Sequence, residues 1–189
     1  MQPRKISTST YIILFIFASI IGFWMGVIIE RTVYPRITIS ASTHDETRMV
    51  QWVYDHSTLI SRVQCQELVR EAMKTPWPEL IIALIELESI KFTPGAMSRD
   101  KHGNPLAIGW CQINIQIHEK ELIEAGIIIE RRDLWNMDCN IKAGTYIFTQ
   151  KIKESDGNVA RALEGYLGGR DSKYVLRVLS NYADLTIKK

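Results

Sequence analysis

The stretch Leu80-Ile81-Ile82-Ala83-Leu84-Ile85-Glu86-Leu87-Glu88-Ser89 decides how the rest of the chain is read. Leu80, Ile81, Leu84, Ile85 and Glu88 recur at helical spacing, so a carboxylate closes an apolar stripe. Ile82, Ala83 and Leu87 make the other faces apolar too. That pattern predicts a helix running through the middle of a core instead of over it, which leaves Glu88 poorly solvated. Thr93-Pro94-Gly95 stops the run, so Glu88 lies near the helix C-terminus, where the negative end of the macrodipole disfavours an ionised carboxylate. Both effects push its pKa upward. Such an acid holds a proton near neutral pH and can give it to a leaving group. Glu86, the neighbouring carboxylate, projects roughly 200° round the helix from it.

Outward from this stretch, Thr75 is expected to cap the helix with Pro76 at its first position, where a missing N–H costs nothing. Upstream, Thr43-His44-Asp45-Glu46 has the Thr-x-x-Glu form of a capping box. A helix should follow it, interrupted near Asp55 to Thr58, with Met49, Val50, Val53, Leu59, Ile60, Val63, Leu68, Val69, Ala72 and Met73 on the apolar side. Downstream, Pro94 to Ile108 is rich in turn formers and predicts a loop or small hairpin beside the helix. Ile115 to Ala125 reads as helix with Gly126 at its end, and another helix runs from about Asp138 through Glu154. Gly157-Asn158 breaks that helix, and Asn158 caps a short one to Leu167. Gly168-Gly169 then turns the chain. Asp171 or Ser172 opens a last helix with Tyr174, Val175, Val178, Leu179 and Tyr182 on its apolar side. His44, His56, His102, His118 and Glu119 lack metal-site spacing, so no metal and no cofactor is expected.

The chain of 189 residues, 46% hydrophobic and 23% charged, supports one globular domain plus an appendage. Arg4, Lys5, Arg31 and Arg36 against Glu30 put +3 into the first 42 residues, so the formal +2 of the whole leaves −1 for the remainder. A nucleic-acid-binding module would carry a basic excess, and no nucleic acid partner is expected. Tyr11 to Ile29 contains no charged residue and would span about 28 Å as a helix, close to a bilayer's hydrocarbon thickness. The apolar region of a cleaved signal peptide is shorter, and the small-x-small site Ser40-Ala41-Ser42 lies far from this run. The expected organisation is a cytoplasmic N-terminus over residues 1–10, a single-pass inner-membrane anchor over 11–29, a linker over 30–42 and a domain over 43–189. The basic residues at the amino terminus place that domain in the periplasm. Three cysteines, Cys65, Cys111 and Cys139, leave at least one unpaired, and spacing alone allows three pairings.

Ala83-Leu84-Ile85-Glu86-Leu87-Glu88-Ser89, Phe92-Thr93-Pro94 and Gly109-Trp110-Cys111-Gln112-Ile113-Asn114 occur in the order of the motifs of the soluble-lytic-transglycosylase family. Asn140-Ile141-Lys142-Ala143-Gly144 and Ala162-Leu163-Glu164-Gly165-Tyr166-Leu167-Gly168-Gly169 are similar to its two later blocks. The resemblance covers residues 60–182, the core of the expected domain. It implies a mainly α-helical, lysozyme-like domain of goose-type character (α+β, with a small loop or hairpin region). It also implies cleavage of the N-acetylmuramic acid–β-1,4–N-acetylglucosamine bond of peptidoglycan glycan strands, with a 1,6-anhydro product. Glu88 would be the catalytic acid and base. Ser89, Gln112, Asn114, Trp110, Tyr146 and Tyr166 would be substrate-binding, with Tyr166 hydrogen-bonded near the Glu88 carboxyl. Leu167 departs from the family's Asn, and Cys111 stands in the place of its Met.

Cys65 and Cys139 are similar to a cysteine pair in the small transglycosylases of type III and type IV secretion and conjugation. That likeness implies a Cys65–Cys139 disulfide and an envelope-spanning secretion, conjugation or phage assembly as partner. Two other readings fit the same residues. One is a goose-type-lysozyme-like muramidase releasing a reducing sugar, and the other is a non-catalytic peptidoglycan-binding scaffold module.

Overall fold

Nine consecutive residues, Pro78 to Glu86, are buried on a single helix, which makes that helix the axis of the fold. A computed structural model describes residues 45–187 of the chain. Within them, in order, lie α1 (Glu46–His56), α2 (Arg62–Ala72), α3 (Pro78–Glu88), β1 (Met97–Arg99), β2 (Pro105–Ile108), β3 (Ile113–Asn114), α4 (Ile115–Glu124), a 3-10 turn (Arg131–Trp135), α5 (Met137–Glu154), α6 (Val159–Leu167) and α7 (Ser172–Thr186). Helices α1, α2 and α7 pack round α3. A helix that is apolar on all sides needs such a jacket, and Leu80 to Ile85 are each 1% exposed or less.

Local chemistry sets most of the boundaries. Asp45 caps α1 by accepting from the Arg48 N–H; the Thr43 of the expected capping box lies outside the described residues. Ser61 and Gln64 form a reciprocal capping box on α2. The break between α1 and α2 falls where expected. Leu59 and Val63 beside it are 62% and 71% exposed, however, and do not belong to the buried face. Helix α3 corrects its expected start. Its N-cap is Trp77, with Pro78 in the first turn, so the second proline of Pro76-Trp77-Pro78 takes the position that tolerates a missing N–H. Asn114, Asn158 and Asp171 cap α4, α6 and α7 through their side chains.

The end of α3 comes earlier than Thr93-Pro94-Gly95 would impose. Ile90, Lys91 and Phe92 follow one another at φ 52°, 58° and 59°, a left-handed turn that disfavours side-chain-bearing residues by about 1–2 kcal/mol each. Burial offsets that strain. Phe92 is fully buried and meets Trp52 edge-on at 6.2 Å, while the Lys91 N–H donates to the Glu86 carbonyl at 2.8 Å. Glu88 is therefore the last residue of the helix.

The turn-rich stretch folds as expected into a hairpin, β1 antiparallel to β2 with Met97 opposite Ile108. The hairpin is extended by β3 with Ala107 opposite Asn114. Between β2 and β3 a turn passes close to α5. Gly109, at φ +79°, lies so near Asn140 that an added Cβ would fall 2.2 Å from its Nδ2. Fully buried Asn140 fastens this turn. Its Oδ1 accepts from the Cys111 N–H at 2.8 Å, and its Nδ2 donates to the Ile108 and Leu134 carbonyls at 3.0 and 2.8 Å.

The expected Cys65–Cys139 disulfide is not formed; all three cysteines are free. Helices α2 and α5 do pack together, but their thiols face different surroundings. Cys65 is buried beside Ser57, in the connection from α1, whereas Cys139 stands in the first turn of α5 next to Asp138, Asp133 and Lys142. Thiol titration of denatured, unreduced protein is expected to find three reactive groups. Finding one would restore the bridge.

Candidate active site

Glu88 ends its helix at the wall of a cleft of about 520 Å3. The hairpin contributes Ser98, Leu106 and Ala107 to this cleft, and the β3 region contributes Gln112 and Asn114. Helix α4 contributes Ile117 and His118, α5 contributes Lys151, and the end of α6 contributes Tyr166 and Leu167. Glu88 is the one carboxylate among these lining residues.

Burial raises the Glu88 pKa above its ordinary 4.5, and a hydrogen bond from Tyr174 works in the opposite direction. The Tyr174 hydroxyl donates to Glu88 Oε1 at 2.5 Å. Burial, with the Glu88 charge and that same bond, pushes the Tyr174 pKa far up, so its hydroxyl keeps its proton and remains a donor. The pair thus holds a carboxyl that is neutral more readily than an exposed one, yet is oriented by a partner that steadies its charged form. Tyr174→Phe is expected to lower turnover about tenfold. It should also carry the high-pH limb of the rate profile to higher pH, because a carboxylate without its donor gives up its proton less readily. A limb that stays in place or moves down would contradict this assignment.

The other expected site residues divide. Gln112 lines the cleft, and its Nε2 donates to the Gly109 carbonyl at 2.9 Å, which fixes its amide. Asn114 lines it too, although its side-chain oxygen accepts from the Gln116 and Ile117 N–H groups as the cap of α4. Tyr166 lines the cleft but does not hydrogen-bond Glu88. Its hydroxyl donates to the Cys111 carbonyl at 2.8 Å, and burial raises its pKa.

Three expected residues lie off this lining. Ser89, 0% exposed, turns its Oγ back to the Ile85 carbonyl at 2.6 Å and does not reach the cleft. Trp110 is 5% exposed and does not line the cleft. Tyr146 lies outside the cleft, against Glu121.

Tyr174, expected on the apolar side of the last helix, is the functional residue that spacing does not single out. Its position just inside the capped start of α7 is the sole local hint, since the contact spans 86 residues of chain. Cys111 sits under the site as a fully buried thiol, and a Cβ on Gly144 would come 2.5 Å from its Sγ. Close approach of α5 to the turn therefore requires glycine there.

A mainly helical domain with a small antiparallel sheet and one sheltered acid on a cleft wall fits the lysozyme-like class that the family match supports. The transglycosylase SLT domain family matches residues 67–185, well over half of the chain, and the chain belongs to that family. It is a lytic transglycosylase domain, and its substrate is peptidoglycan. The matched stretch contains Glu88, Gln112, Asn140, Tyr166 and Tyr174. Comparison with curated proteins gave no match.

Proposed function

We propose that the chain is a membrane-anchored lytic transglycosylase that cleaves the N-acetylmuramic acid–β-1,4–N-acetylglucosamine bond and leaves a 1,6-anhydro muramic end. Protonated Glu88 gives its proton to the bridging oxygen as the C1–O bond breaks. The resulting carboxylate then takes the proton of the muramyl C6 hydroxyl while that oxygen bonds to C1. No water is consumed, and Glu88 ends protonated as it began. The observation that carries this reading is that Glu88 is the single carboxylate lining the cleft among the described residues. Hydrolases of this chemistry ordinarily need a second carboxylate flanking the bond, and Glu86 is engaged elsewhere, on Asn181.

Among the described residues no helix is long and apolar enough to cross a membrane, and the expected anchor, Tyr11 to Ile29, lies outside them. The anchor reading rests on the uncharged composition of that stretch. A domain tethered by it on the periplasmic face would open the wall locally, as an envelope-spanning assembly needs. Mass spectrometry of peptidoglycan digested by the full chain is expected to show fragments lighter by one water than hydrolytic ones. Reducing-end fragments would mark a muramidase instead. No cleavage, with binding retained, would mark a scaffold module.

A further inference from the structure

Helix α7 meets α3 along one stripe. Tyr174, Val178, Asn181 and Leu185 follow at i, i+4, i+7 and i+11 and so share a helix face. Val178 and Leu185 are fully buried, and Tyr174 and Asn181 are half-buried. Both polar members of the stripe end on carboxylates of α3. Tyr174 reaches Glu88, and Asn181 Nδ2 donates to Glu86 Oε2 at 2.9 Å. Glu86 is buried and takes no part in the cleft lining. Apolar contact is non-directional and tolerates sliding. A hydrogen bond to a buried carboxylate does not, because leaving it unmade forfeits the solvation already given up. A slip of α7 by one helical turn, about 5.4 Å, would break both bonds together.

We propose that Asn181 and Glu86 form a register clamp, a positioning pair that sets the seat of α7 on α3 and so holds the Tyr174 hydroxyl against the Glu88 carboxyl. The clamp rests on Glu88 being the acid of the transglycosylase reaction, and it accounts for a buried carboxylate that the chemistry does not use. The groups facing Glu88 are Tyr174 from α7, Tyr166 from α6 and Cys111 from the turn before β3, with His118 of α4 and Lys151 of α5 also lining the cleft. Helices α1 and α2, which also pack against the core, contribute no charge that shifts it. Loss of the clamp therefore reaches Glu88 through Tyr174.

The test exchanges both partners for apolar side chains. E86L/N181L leaves no orphaned buried charge and removes the directionality alone. With the full chain acting on soluble glycan fragments, kcat is expected to fall about tenfold while KM stays within about twofold. The high-pH limb should rise as in Y174F, and adding Y174F should reduce the rate no further. Glu86→Gln keeps the acceptor oxygen and should retain the wild-type rate and profile. Should the leucine pair not fold, Asn181→Ser, which draws the donor out of reach, gives the same readout. Three results overturn the clamp: a wild-type profile in the clamp variant, a multiplicative loss on adding Y174F, or E86Q falling as far as E86L/N181L. A wild-type chain that releases no anhydro product defeats the transglycosylase reading itself, whereas an active wild type with any of those three results defeats the clamp alone.

Discussion

Glu88→Gln is expected to lower release of anhydro-muropeptide about a thousandfold, the range lost when a positioned general acid is removed, while the protein remains folded. An amide can neither give the proton to the bridging oxygen nor take one from the C6 hydroxyl, so both halves of the reaction fail together. Stability should move the other way. Burial raises the folded pKa of Glu88 above its ordinary 4.5, so the group favours the folded state below that value, and the advantage is lost as pH rises through the raised pKa. Glutamine stays neutral throughout. Thermal melts at pH 8 should therefore show Glu88→Gln more stable than the wild type, with the gap closing toward pH 4. A variant that retains a tenth of the activity, or melts lower at pH 8, would remove Glu88 from the role of sheltered acid.

The second large effect concerns Asn140, which never touches the cleft. Asn140→Leu keeps the side-chain size but releases one backbone N–H and two carbonyls that are buried with it: those of Cys111, Ile108 and Leu134. With each orphaned group worth about 1–3 kcal/mol, a loss of roughly 4 kcal/mol is expected. For a chain of this size that lowers Tm by about 12 °C. Hydrogen exchange at the Cys111 amide should accelerate first, and Gln112, whose amide is tied to Gly109 in the same turn, should lose its place beside the acid. A melting point within a few degrees of the wild type would show that water replaces the three bonds freely, and the turn would then need another fastening.

Helices with capping side chains and clear periodicity were legible from residue types alone. Asn158 and Asp171 announce α6 and α7, and the apolar wrapping of Leu80 to Ile85 announces both the central helix and the sheltered state of Glu88. Boundaries failed where two residues could do the same job, as with Pro76 and Pro78, or where burial overrode backbone preference, as at Ile90 to Phe92. The short 3-10 turn at Arg131–Trp135 has no periodicity long enough to see. At the site, resemblance of motifs found the right neighbourhood but not the right contacts. Ser89 follows Glu88 in sequence, yet as the C-cap its hydroxyl turns back onto its own helix. Tyr166 reaches a carbonyl instead of the acid. The partner of Glu88 comes from a helix 86 residues later, and nothing in local spacing encodes such a meeting. The expected disulfide failed for the same reason, since helices that pack need not aim their thiols at each other.

The distance in sequence between Glu88 and Tyr174 has a consequence for when the site becomes complete. During synthesis the acid emerges well before the helix that covers it. Until α7 docks, the carboxyl is wet, ordinarily acidic and without its hydroxyl companion. A chain lacking Ser172 to Thr186 presents the acid without Tyr174, so the paired site is complete only once the final helix of the described domain has docked.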